Sequence, residues 1–197
     1  LDKVFRSAVD KSFNAITVDG CMSTNDTALI LANGKAGVKP VHSAGNLQIF
    51  KTMLHKVLSE LSYLMVKDGE GATKVIEFCV EEAKNAAEAR KIAYAVANSN
   101  LVKTAFYGGD PNWGRIIAAV GTVNENIPVD AVKVRFDQVP IFEDGHGVTG
   151  FESELKEIMA SPRIRVRIQM GMGKKGFRLL SSDLSHEYVT INAHYHT

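Results

Sequence analysis

The chain has 197 residues, of which 45% are apolar, 23% charged and 8% aromatic, enough for one globular domain with a sizeable core. Lys plus Arg numbers 23 against 22 for Asp plus Glu, a formal net charge of +1, which argues against a dedicated nucleic-acid binder and against a polybasic membrane anchor. No apolar run approaches the ~20 residues that cross a bilayer and no N-terminal signal is visible, so the expectation is a cytoplasmic protein.

Leu1, Val4, Phe5, Ala8, Val9 and Phe13 fall on one helical face. No capping residue precedes Leu1, and the missing methionine and missing cap together suggest the remainder of a longer polypeptide. Thr27-Ala28-Leu29-Ile30-Leu31-Ala32, closed by Asn33-Gly34, reads as a fully buried strand. The polar cluster Ser23-Thr24-Asn25-Asp26-Thr27 would then sit at a strand end, either in a site or as a capping turn.

Residues 43–66 carry the strongest helical pattern, with Leu47, Phe50, Leu54, Val57, Leu58, Leu61, Leu64 and Met65 in a wide apolar stripe ended by Asp68-Gly69. Residues 75–81 alternate as a strand. Asn85 with Glu88 predicts a cap for the Ala-rich helix that runs to about Asn98. Asp110-Pro111-Asn112-Trp113-Gly114-Arg115 is a cluster of turn formers around the single tryptophan, readable as a cleft wall or as a structural corner. Val132, Val134 and Phe136 alternate with charged residues. Thr149 and Glu152 suggest a capping box for a short helix ended by Ser161-Pro162. Ile164, Val166 and Ile168 alternate with Arg163, Arg165 and Arg167, whose face reads as solvated or covered by another subunit's acidic surface. Helices mixed with half-buried strands give an α+β class, a layered α/β arrangement in one unit spanning residues 1–197.

Several motifs carry less than they first suggest. Gly171-Met172-Gly173-Lys174-Lys175-Gly176 matches GxGxxG, but no helix start follows it and no acidic partner lies at the required distance, so a glycine-rich loop or hairpin is expected. His194 and His196 would share one face of a strand, yet no carboxylates accompany them and no metal site is assigned. Cys21 and Cys79 are expected as small buried hydrophobes in a reducing compartment. No GxSxG, HExxH or Walker motif occurs.

Read together, Ser12-Phe13-Asn14, Val18-Asp19-Gly20, Ser23-Thr24-Asn25-Asp26-Thr27, Asp68-Gly69-Glu70-Gly71-Ala72-Thr73-Lys74, Gly109-Asp110-Pro111-Asn112-Trp113-Gly114-Arg115 and Tyr188-Val189-Thr190-Ile191-Asn192-Ala193 resemble the ornithine acetyltransferases, also called glutamate N-acetyltransferases, of the ArgJ family. The stretches keep the family's order and span nearly the whole chain. The resemblance implies the self-processing fold of that group, shared with DmpA-like enzymes. It implies a precursor that cuts itself before a threonine, giving an α chain and a β chain that assemble as α2β2. This sequence resembles the β chain, with the threonine nucleophile expected upstream of Leu1 and no catalytic residue of its own. The implied reaction is ping-pong transfer of acetyl from N-acetylornithine to glutamate through an acetyl-threonine, without a cofactor. Whether acetyl-CoA also serves as donor is left open. The family's substrate contacts map onto Glu70, Asn192 and Thr197. A related self-processing aminopeptidase or amidase, and a non-catalytic partner subunit, are the alternatives.

Overall fold

A computed structural model describes residues 1–35, 37, 43–124 and 126–194. Among the described residues the chain forms a seven-stranded mixed sheet in the order β1-β7-β2-β6-β3-β4-β5. The N-terminal helix α1 (Asp2–Asp10) ends before Phe13, which starts a 3-10 turn, and β1 (Ile16–Thr17) follows. Helix α2 (Ala44–Lys67) begins at Ser43, whose side chain accepts from the Asn46 amide. Strand β2 (Val75–Ala83) leads to α3 (Ala86–Ala97). The predicted Asn85–Glu88 cap forms, with Asn85 accepting from the Glu88 amide at 2.9 Å, while the Glu88 carboxylate accepts from the amide of Lys84, one residue before the cap, at 3.0 Å.

Two short helices that the sequence pattern did not separate come next, α4 (Asn100–Tyr107) and α5 (Trp113–Gly121), each begun by a side-chain cap from Ser99 and Asn112. Strands β3 (Lys133–Phe136), β4 (Val139–Glu143) and β5 (His146–Gly147) make a meander. Its turns carry left-handed residues, Asp137 in the first and Asp144 with Gly145 in the second, the backbone that two-residue hairpins require. Helix α6 (Glu152–Ala160), strands β6 (Arg163–Gln169) and β7 (Lys175–Ser182), and helix α7 (His186–His194) complete the chain. Strand β2 sits between β6, which runs parallel to it, and β7, which runs antiparallel. The glycine-rich segment after β6 is therefore a loop that crosses the end of β2.

One face of the sheet holds the main core. Ile76, Phe78 and Val80 of β2, Ile164, Val166 and Ile168 of β6 and Leu179 of β7 pack there against Ile92, Ala93 and Val96 of α3, Phe106 of α4 and Ile116 of α5. Phe106 stacks on Phe136 at 5.5 Å between centroids and meets Phe78 edge-on at 5.9 Å. On the opposite face a smaller cluster joins Val66 of α2 to Val75 and Leu180. The rest of that face is charged. Glu77, 3% exposed, accepts from Arg163 at 3.1 Å, Arg165 at 3.4 Å and Arg178, and Arg167 grips Glu81 through two hydrogen bonds at 3.2 and 3.0 Å. The arginines expected to face solvent or a partner are thus paired within the sheet.

Several expectations fail. Residues 27–32 form no strand, and Leu29 and Leu31 are 74% and 85% exposed, because among the described residues no layer lies over them to bury both faces of a strand. Cys21, in the same stretch of chain, is exposed rather than buried, and Cys79 is half-buried. Thr149 does not cap α6; the position before the helix is Phe151, and Glu152 instead accepts from the Gly150 amide at 3.1 Å. His194 ends a helix rather than lying on a strand, and His196 lies outside the described residues. The apolar stripe of α2 is only partly covered: Ile49, Met53, Val57, Leu61 and Leu64, spaced by three and four residues, are 45–64% exposed. No described helix is long and apolar enough to cross a membrane.

Candidate functional site

The segments that carry the candidate residues meet at one end of the sheet. Strands β1 and β7 run parallel and finish there, and β2, antiparallel to β7, starts there. The turn after β1, the loop between α2 and β2, and the start of α7 are therefore neighbours, although the sequence separates them widely.

The loop is held first by its own backbone. Gly71 adopts φ +64°, and a Cβ built on it would lie 2.4 Å from the Tyr188 amide nitrogen and 2.7 Å from Ser185 Oγ. Only glycine lets the loop approach α7 this closely. Ser185 Oγ donates to the Gly71 carbonyl at 2.6 Å and accepts from the Tyr188 amide at 3.2 Å, so one hydroxyl caps α7 and ties it to the loop. On the other side of Gly71, the buried Asp183 carboxylate accepts from the amides of Thr73 at 2.8 Å and Lys74 at 3.0 Å, and from the Thr73 hydroxyl.

On this frame Asn192 Nδ2 donates to Glu70 Oε2 at 2.7 Å, and also to the Tyr188 carbonyl one helical turn back at 3.0 Å. The two residues picked out in the sequence are thus in direct contact, both exposed. Asn192 keeps its amide oxygen free of any described protein donor, and Glu70 keeps its second carboxylate oxygen likewise. An exposed carboxylate beside a free amide oxygen presents acceptors, which suits the ammonium or amide N–H of a small ligand. Thr197, the third predicted contact, lies outside the described residues.

A further pair flanks these residues that sequence reasoning did not single out. The Tyr188 hydroxyl donates to Asp19 Oδ2 at 2.8 Å. Burial, with the hydrogen bond to Asp19 and the nearby negative charge, pushes the Tyr188 phenol up to about 12. It therefore stays a neutral donor at any ordinary pH. Both residues sit within stretches that carried the family resemblance, which was the available signal. An open apolar groove, lined by Phe13, Thr27, Leu61, Leu64 and Met65, reaches Asp68 at the base of the same loop.

The Asp110–Arg115 turn is a structural corner. Asn112 caps α5, Arg115 donates to the Leu101 carbonyl at 2.7 Å, and Trp113 stacks on Phe142 at 5.0 Å between centroids. Residues 23–27 lie in an exposed loop held by the Ser23 hydroxyl, which accepts from the Asn25 and Asp26 amides. Among the described residues no group of three His, Cys, Asp or Glu side chains is placed to hold a metal ion.

A mixed sheet with helices on both faces and an exposed carboxylate–amide pair at one end define an α+β layered protein. The ArgJ family profile matches residues 1–197, and the chain belongs to the ArgJ family. It is 48% identical over 200 residues to the arginine biosynthesis bifunctional protein ArgJ of Geobacter sulfurreducens, covering 100% of this chain and 51% of that protein. The glutamate N-acetyltransferase of Methanopyrus kandleri is 41% identical over 196 residues, covering 98% of this chain and 50% of that protein. A crystal structure of the arginine biosynthesis bifunctional protein ArgJ from Bacillus halodurans matches the fold with a TM-score of 0.90 at 31% identity, over 98% of this chain and 92% of that one. The chain spans about half the length of the curated relatives it matches.

Proposed function

We propose that this chain is the β-chain half of a glutamate N-acetyltransferase and that it supplies the amino-acid-holding wall of the active site. The observation that carries this reading is the Asn192–Glu70 contact at 2.7 Å, made between two of the stretches that resemble the family. Relatives covering the whole chain bear the names arginine biosynthesis bifunctional protein and glutamate N-acetyltransferase.

In this reading the nucleophile is a threonine in the part of the protein that precedes Leu1. Its hydroxyl oxygen attacks the acetyl carbonyl of N-acetylornithine, with the threonine's own amine as base. The C–N bond breaks, ornithine leaves with the proton, and an acetyl ester remains. The amine of glutamate then attacks that ester, and N-acetylglutamate departs as the threonine hydroxyl is restored. Glu70 sets its charge against a substrate ammonium. Asn192, both of whose N–H donors are taken by Glu70 and the Tyr188 carbonyl, accepts from a substrate N–H through its free amide oxygen, and Thr197 holds the carboxylate end. No cofactor enters the cycle; acetyl-CoA would enter only as an alternative acetyl donor.

The partner is the α chain of the same precursor, in an α2β2 assembly in the cytoplasm. The exposed stripe of Ile49, Met53, Val57, Leu61 and Leu64 on α2 supports such a partner, since solitary domains rarely leave so continuous an apolar face bare. The test is to incubate the full processed protein with N-acetylornithine and glutamate and follow N-acetylglutamate by mass spectrometry. Glu70→Gln should raise KM for the amino acids at least ~10-fold, about 1.4 kcal/mol of lost binding. Acetate released without an amine acceptor, or no turnover at all by protein carrying its threonine, overturns the reading.

A further inference from the structure

Among the described residues one lysine that the proposed reaction does not use is buried. Lys103, on α4, is 3% exposed. Its Nζ donates to the Ser182 carbonyl, to Ser181 Oγ at 3.3 Å and to Ser182 Oγ at 3.4 Å, so every direct partner is neutral. Its own main-chain carbonyl accepts from the Leu184 amide at 3.3 Å. Side chain and main chain of this one residue thus grip the chain on either side of Asp183.

Asp183 is the residue that clamps the Glu70 loop through the amides of Thr73 and Lys74. Helix α4 takes hold of the same loop a second time, where Lys74 Nζ donates to the Phe106 carbonyl at 2.6 Å. One residue past Leu184, Ser185 ties Gly71 to the start of α7. A continuous set of contacts therefore runs from Lys103 through residues 182–185 to the loop that carries Glu70 and the helix that carries Asn192.

Burying an ammonium group is costly, and an apolar side chain of the same length would fill the space without that cost. What the apolar side chain could not do is hold the Ser182 carbonyl and place a positive charge near the buried Asp183 carboxylate. Burial pulls the Lys103 ammonium down to about 8, while the charges of Asp183 and Asp19 pull it back up.

We propose that Lys103 is a positioning residue for the acetyl-transfer site, the buried anchor that fixes Asp183 and, through it, sets Glu70 against Asn192. This rests on Glu70 and Asn192 being the substrate-holding pair. It assigns Lys103 no contact with substrate.

The test uses the full processed protein, wild type, Lys103→Met and Asp183→Asn. Native-state hydrogen exchange is read by segment. Lys103→Met should speed exchange at least ~10-fold in residues 69–74 and 186–194 and leave β2 and β6 unchanged. In steady-state kinetics it should raise KM for the amino-acid substrates ~10-fold with kcat changed less than ~3-fold. In a Glu70→Gln background the same substitution should add less than ~2-fold, because the group it positions is already gone. Asp183→Asn should loosen the same two segments. Uniform acceleration across β2 and β6, unchanged exchange at 69–74, or a full additional KM effect in the Glu70→Gln background each overturn the proposal. If neither variant folds, wild-type exchange decides: residues 69–74, 99–107 and 181–192 should open as one cooperative unit, and independent opening overturns the proposal. A wild-type protein without acetyl transfer would sink the functional reading through turnover alone, while the exchange arm would still report on the anchor.

Discussion

Glu77 offers the most quantitative prediction. Its side chain is 5% exposed and meets Arg163, Arg165 and Arg178, which are 49%, 51% and 45% exposed. Burial alone would raise its carboxyl. The hydrogen bond and charge of Arg178, the hydrogen bond of Arg163 and the charge of Arg165 outweigh burial and hold it at about 2, against 4.5 in an exposed chain. At ~1.4 kcal/mol per unit, that difference corresponds to about 3 kcal/mol of stability at neutral pH. The half-exposed arginines are screened by water, so about 2 kcal/mol is the working figure. The sign follows from the depressed value. The contribution is complete above about pH 5 and is lost as pH falls through 4.5 toward about 2. Glu77→Gln removes the charge and keeps the shape. Urea unfolding should show the variant destabilised by about 2 kcal/mol at pH 7, with at least half of that difference gone at pH 3. A difference below about 0.5 kcal/mol at pH 7, or one that does not change between pH 6 and pH 3, would refute the reasoning.

Two further predictions test the site and the sheet. Gly71→Ala places a methyl group 2.4 Å from the Tyr188 amide nitrogen, whereas Gly109→Ala, at φ +72°, meets nothing within 4 Å. Both carry the left-handed penalty of ~1–2 kcal/mol. Only the first should also part the loop from α7 and raise substrate KM ~10-fold or more, and equal effects would count against the close packing. For the cysteines, Cys21 is exposed, while burial and the charge of Glu77 push the Cys79 thiol up to about 11. Maleimide at pH 7.5 should label Cys21 at least ~10-fold faster than Cys79, and Cys21→Ser should remove the fast phase. Faster labelling of Cys79 would mean that the sheet face is open.

Local physics made much of this protein legible in its sequence. The Ser43 start of α2, the Asn85 cap of α3 and the unbroken alternation of β6 depend on residues within one turn or one strand, and each forms as the pattern predicts. The pattern of exposed and buried positions was less reliable wherever a second layer decides it. Residues 27–32 have the composition of a buried strand, but among the described residues no sheet or helix buries both of their faces. The alternation of residues 75–81 says nothing of what covers Glu77, but β2 is central, and arginines from the strands on both sides close over it.

The site divides along the same line. In the sequence Glu70 and Asn192 are marked by what the resemblance to the family implies, and that resemblance rests on the order of the motifs along the chain. That they can meet follows first from strand direction: β7 runs antiparallel to β2, so the chain entering one and the chain leaving the other share an end of the sheet, where Ser185 and Asp183 then hold the loop against α7. Asp183, Ser185 and Lys103 carry no recognisable motif, because their roles depend on neighbours 78 to 114 residues away. Sequence determined the elements and the chemistry that each could offer. Only the tertiary structure decided which of those groups meet, since hydrogen bonds between distant segments exist only after the sheet has chosen its order.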